Sequence, residues 1–110
     1  MNYFEYLAYI EEAKNYATSE DFLGEMGFGA NVPYSAENWG KVCEIIFAAA
    51  HSDFAAITGE LSARAFAMKY SLPDRTVQRW IQGERKAPEY VACLLGYAVI
   101  GDIEHESAEL

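Results

Sequence analysis

Apolar residues return at every third or fourth position along much of this chain, most strongly at Trp39, Val42, Cys43, Ile46, Phe47 and Ala50. That period puts them on one side of an α-helix running from about Ala36 to Ala50. The strict apolar–polar alternation of a half-buried strand occurs nowhere, and no Asn-Gly or Asp-Gly hairpin turn is present. The expectation is therefore an all-α protein of five or six helices. With 110 residues there is material for one core only, and 52% hydrophobic against 23% charged residues is the balance of a folded globule.

Other helices follow from the same period. Residues 3 to 17 bring Tyr3, Tyr6, Leu7, Ile10 and Ala17 into one sector, with Glu5, Glu11 and Glu12 largely outside it, as in a docking helix. Thr18-Ser19-Glu20-Asp21 reads as a stop and a new N-cap before a short helical turn through Phe22, Leu23 and Met26. Glycines at 24, 27 and 29 and the Asn31-Val32-Pro33 stretch then predict a loop over residues 27 to 34. Ser35 is the expected N-cap of the next helix. Between His51 and Glu60 the pattern is ambiguous: Phe54, Ala55 and Ile57 extend a helical turn before Gly59 ends it.

Several functional classes are disfavoured. No run reaches the roughly 18–20 consecutive apolar residues that span a bilayer, and the first residues lack a leading basic cluster, so a cytoplasmic protein with no membrane partner is expected. Cys43 and Cys93 stand far apart in apolar surroundings, which suits reduced core thiols. No Cys or His pair has the spacing of a structural zinc site, so neither a metal nor a cofactor is expected. A Gly-rich phosphate loop and a nucleophile elbow are both missing, which argues against an enzyme.

Charge singles out one segment. The net charge of −9 is the wrong sign for approaching phosphates. Between Ser62 and Pro88, however, Arg64, Lys69, Arg75, Arg79, Arg85 and Lys86 face only Asp74 and Glu84, a local balance of +4 that leaves −13 for the rest. Two short helices are predicted there. The first runs from an N-cap at Ser62 to about Tyr70, with Ala63, Phe66, Ala67 and Tyr70 on one face, and the second from about Pro73 to Ile81. At about 100° per residue the second helix separates Val77, Trp80 and Ile81 from an opposite row of Arg75, Gln78, Arg79 and Gln82. Long Arg and Gln side chains can fork onto guanine O6/N7 and adenine N6/N7 respectively, so such a row suits base reading.

The stretch SARAFAMKYSLPDRTVQRWIQGERKAP resembles the helix-turn-helix of phage-repressor and Cro-like (XRE-type) DNA-binding domains. Ala67 stands where that family places a tiny residue at the helix crossing, Phe66 and Tyr70 are the adjacent core residues, and Leu72 is the apolar plug of the turn. Val77 and Trp80 match its inward recognition-helix residues, and Trp80 to Pro88 resembles its W-x-x-G-x-R-x-x-P exit loop, with Gly83 as a left-handed helix cap. The likeness covers about 27 residues closely and about 60 if the helices of residues 36–50 and Glu89 to about Ile100 complete a four-helix head. It departs in two places: Ser71 replaces a turn glycine, straining a backbone that wants positive φ, and the stretch from His51 to Leu61 is longer than the family's usual connection.

The resemblance implies a sequence-specific double-stranded DNA-binding transcriptional regulator, repressor-like, from a bacterium, phage or mobile element. Arg75, Gln78, Arg79 and Gln82 would enter the major groove, while Thr76, Lys69, Arg85 and Lys86 would grip phosphates. The chain divides on this reading into an N-terminal helical extension for docking or dimerisation (1–34), a DNA-binding domain (35–102) and an acidic tail (103–110). A protein–protein module, an antirepressor or adaptor that keeps the head without binding DNA, is the alternative that the acidic remainder leaves open.

Three further features carry expectations. Tyr90, Val91, Leu94, Leu95, Tyr97, Ala98 and Ile100 offer more apolar surface than one helix face needs, which fits either a homodimer seam, there or on the N-terminal helix, or burial between head and N-terminal helix. The aromatic cluster Tyr3, Phe4, Tyr6, Tyr9 and Tyr16 reads as core and rim. Glu104, His105, Glu106 and Glu109 read as a frayed, solvated tail.

Overall fold

A computed structural model describes residues 1–27 and 34–108. The described residues form seven helices and no strand: α1 (Tyr3–Ala13), α2 (Ser19–Met26), α3 (Ala36–Ala50), α4 (Phe54–Thr58), α5 (Ala63–Lys69), α6 (Asp74–Gln82) and α7 (Glu89–Ala108). Five of them start on a side-chain cap. Asn2, Thr18, Ser35, Asp53 and Ser62 each accept a hydrogen bond from the backbone N–H three residues on, which satisfies a donor the first turn would otherwise leave open.

The helix count exceeds the expected five or six because residues 51–60 do not simply prolong α3. Ser52 adopts φ 55°, and the N–H groups of Ser52 and Asp53 bond back to the Ala49 and Ala48 carbonyls, closing a Schellman end on α3. Asp53 then caps α4, so the chain turns and restarts within two residues. The helix expected over residues 3 to 17 stops at Ala13 instead. His51 Nε2 donates to the Ala13 carbonyl at 3.1 Å, and Tyr16 folds back with its ring 5.8 Å from that of Phe22. A cap supplied from 38 residues away leaves no local trace in the sequence.

All seven helices share one core around α3. Trp39, Val42, Cys43, Ile45, Ile46, Ala48 and Ala49 are buried, against Tyr6 and Ile10 of α1, Phe22 of α2, Phe54 and Ile57 of α4 and Ala92 and Ile100 of α7. Cys43 is a free thiol whose pKa burial pushes up to about 12, with the neighbouring Glu44 adding to the rise. The α3–α7 crossing is tight at Gly96, where a Cβ would meet Tyr6 Oη at 2.7 Å and Ala49 Cβ at 2.9 Å. Tyr6 is anchored there by donating to the Cys93 carbonyl at 2.6 Å. The tail beyond residue 102 departs from expectation as well: α7 continues to Ala108. Glu104 is half-buried and accepts hydrogen bonds from the Met1 amino group at 2.8 Å and from the Tyr34 hydroxyl, so its carboxylate is held rather than solvated. The loop foreseen over residues 27–34, and Glu109, fall largely outside the described residues. No described helix is long and apolar enough to cross a membrane.

Candidate nucleic-acid interface

The basic segment folds as α5, a short link and α6, seated on α4. Phe66 and Ala67 are the buried residues of α5, and Val77 is that of α6. Trp80 is half-buried and packs edge-on against Phe54 at 4.9 Å between centroids, while Phe54 meets Phe66 at 5.6 Å. Ala67 permits this arrangement because a larger side chain would push α5 from its neighbours. Tyr70 lies beside Phe66 at 4.8 Å, and half-buried Leu72 packs on the core from the link.

The link is a complete Schellman end built on serine. Ser71 sits at φ 57°, its N–H bonds to the Met68 carbonyl at 3.4 Å, and the Leu72 N–H bonds to the Ala67 carbonyl at 2.8 Å. A side chain in that left-handed region costs on the order of 1 kcal/mol relative to glycine, so the strain expected at this position is present. Pro73 opens α6 without a side-chain cap, which leaves the N–H groups of its first turn uncapped by any side chain. Gly83 closes the helix in the left-handed region at φ 78°.

Of the residues proposed to read bases, Arg75, Gln78, Arg79 and Gln82 are all exposed. They fall within one sector of about 100° on α6, opposite the sector of Val77, Trp80 and Ile81. No ion pair engages Arg75 or Arg79 among the described residues, so both guanidinium groups keep their donors for a ligand. Gln78 makes one long contact, its amide reaching Asp74 Oδ1 at 3.4 Å. Of the residues proposed for phosphates, Arg85 and Lys86 are exposed in the segment after α6, and Thr76 is half-buried.

Lys69 is differently placed. Its ammonium lies 3.2 Å from Asp102 Oδ2 on α7, the oxygen that also accepts from Tyr70 Oη at 2.5 Å. The Tyr70 hydrogen bond, followed by Lys69, holds the Asp102 carboxyl below the usual range. This tie fastens α5 to α7, and no local pattern announces it, because its acid lies 32 residues beyond Tyr70. Two residues absent from the sequence-derived site also bear on its field. Arg64 is exposed on α5 with no ion pair among the described residues, and the exposed Asp74 places one negative charge in the first turn of α6.

No family model, curated protein or solved structure matches the chain.

Proposed function

We propose that this chain is a sequence-specific double-stranded DNA-binding transcriptional regulator of repressor type, serving a bacterium, phage or mobile element, with α5 and α6 as its helix-turn-helix and α3 to α7 supplying a repressor-like head. The observation that carries the reading is the exposed row Arg75, Gln78, Arg79 and Gln82 on a helix whose opposite side is packed into the core. A helix presented in this way fits the width of the major groove, and its side chains reach base edges bidentately, Arg donating to guanine O6 and N7 and Gln donating to adenine N7 while accepting from its N6 amino group. Arg85, Lys86 and the uncapped first turn of α6 supply phosphate contacts that set the register. The local +4 steers the approach of the duplex, while the −13 elsewhere limits non-specific association.

The test is a titration of duplexes drawn from a random pool, followed by selection of the preferred site. Binding weakens steeply with salt because each neutralised phosphate releases condensed counterion. The double variant Gln78→Ala with Arg79→Ala loses about 1–3 kcal/mol of discrimination per bidentate contact. An unchanged ratio of best-site to random affinity in that variant would remove α6 from base reading.

A second reading is favoured by the net charge of −9 and by Asp74 at the start of α6. In it the same exposed row docks a protein, as in an antirepressor or adaptor. Absence of any duplex binding at about 50 mM salt, where phosphate contacts are strongest, would select this alternative.

A further inference from the structure

Among the described residues, four of the six exposed large hydrophobic side chains lie on α1 and the first half of α7, which run side by side. Phe4 is 84% exposed, Tyr90 68%, Leu94 52% and Tyr3 37%. They form one surface. Tyr3 stacks edge-on against Tyr97 at 5.1 Å and lies 4.0 Å from Cys93 Sγ, while Leu7, Tyr90 and Cys93 share the walls of a shallow cleft between the two helices. On α1, Phe4 neighbours Leu7 one turn on, and on α7, Leu94 neighbours Tyr90 in the same way.

We infer that this α1–α7 face is the seam of a homodimer, an isologous contact in which each copy's Phe4, Tyr90 and Leu94 meet those of the other. Two arguments identify the occupant as a second copy. The first is area. With 150–250 Å² for a large aromatic side chain, the exposures above leave roughly 500 Å² of apolar surface per copy, so a symmetric pair hides about 1,000 Å² before its rim is counted, the lower bound for a specific interface. The second is charge. Copies carrying −9 each repel overall, so a symmetric pair, which sets each patch against itself, meets at least electrostatic cost where the surface is close to neutral. The cleft joining the two helices carries only Glu11, Lys14 and Glu89, charges of both signs with Lys14 paired to Glu11 at 2.9 Å, so the face is far closer to neutral than the molecule as a whole. A partner with a basic surface would instead be drawn to the acids elsewhere on the molecule.

The inference does not rest on the DNA-binding reading, and its salt dependence has the opposite sign. Screening weakens the repulsion between two −9 copies and leaves the apolar contact intact, so added salt tightens the dimer while it loosens any complex with DNA. Sedimentation equilibrium on the full chain is the test, at about 50 mM and about 500 mM NaCl. The dimer fraction at fixed protein concentration is expected to rise with salt. The double variant Tyr90→Glu with Leu94→Glu is expected to weaken self-association by about a hundredfold or more, because each unpaired carboxylate is carried into the apolar seam. Phe4→Glu, on the other helix and at the most exposed site, is the independent check, with circular dichroism confirming unchanged helix content in both variants. Arg79→Ala is expected to leave the dimer intact. A chain that stays monomeric at both salt concentrations would overturn the inference, whether or not it then captures vesicles or another protein on this face. So would a dimer that survives all three glutamates.

Discussion

Helices α3 and α6 use the same sequence period for opposite ends. In α3 the apolar positions widen into a face that six other helices share directly or through neighbours, and Trp39, Val42, Cys43, Ile45, Ile46, Ala48 and Ala49 vanish from the surface. In α6 the apolar stripe is narrow, one residue is fully buried, and the remainder of the helix carries long polar side chains outward. The contrast separates stability from the proposed recognition: a change on α3 or against it alters whether the chain folds, and a change on the outer face of α6 leaves the fold intact and, on the proposed reading, alters what the folded chain holds.

The α3–α7 crossing tests this division most severely. Adding a methyl group at Gly96 places a Cβ 2.9 Å from that of Ala49, which is fixed to its own backbone, and 2.7 Å from a Tyr6 hydroxyl already committed to the Cys93 carbonyl. Neither neighbour can swing away, so the two helices must separate. Alanine's better helix propensity returns about 1 kcal/mol, and Gly96→Ala is expected to cost a net 1–3 kcal/mol, roughly, in urea unfolding. Gln78→Ala with Arg79→Ala should change the same midpoint by no more than about 0.5 kcal/mol. Equal destabilisation by the two would dissolve the distinction drawn between the helices.

Between these extremes lies the link before α6. Ser71 holds φ 57° at a cost that glycine avoids, although glycine gives back part of that gain through the entropy of the unfolded chain. Ser71→Gly is expected to stabilise the protein by about 0.5 kcal/mol and Ser71→Val to destabilise it by about 1–2 kcal/mol, read as opposite shifts in thermal midpoint. A stabilising valine would mean that the link is not held in the left-handed region.

Much of this was legible in advance where the cause is local. The run from the Ser35 cap to Ala50, the Ser62 cap, the restart of helix after Pro73, the Gly83 end and the inward turn of Val77 and Trp80 follow from period, caps and turn chemistry, and the structure reproduces them within a residue or so. What the sequence concealed is set by groups distant along the chain. The end of α1 meets the ring of His51, and past Ile100 α7 is tied down by Asp102 to Tyr70 and Lys69 and by Glu104 to Met1 and Tyr34. Glu104, which read as part of a solvated tail, is held in place because an amino group and a hydroxyl from distant parts of the chain reach it. The exposed row on α6 was visible from periodicity alone, but the engagement of Lys69 with α7 was not.

That engagement supplies the smallest and most specific effect. Asp102 has its folded pKa lowered by Tyr70 and then by Lys69, so its contribution is fully present above the unfolded value of about 3.9 and is lost as pH falls through that value and the folded one. The carboxylate is 41% exposed, so screening holds the contribution to about 0.5 kcal/mol or less. Asp102→Asn should accordingly flatten the acid limb of the stability profile below about pH 4 and leave the neutral region almost unchanged. The same substitution frees the Lys69 ammonium at the edge of the proposed DNA surface. If Lys69 then reaches a phosphate, the plot of log affinity against log salt steepens by about 0.9, whereas Lys69→Ala in the natural background leaves that slope unaltered. A slope that falls with Lys69→Ala while Asp102 is intact would show that the duplex already draws this lysine away from α7.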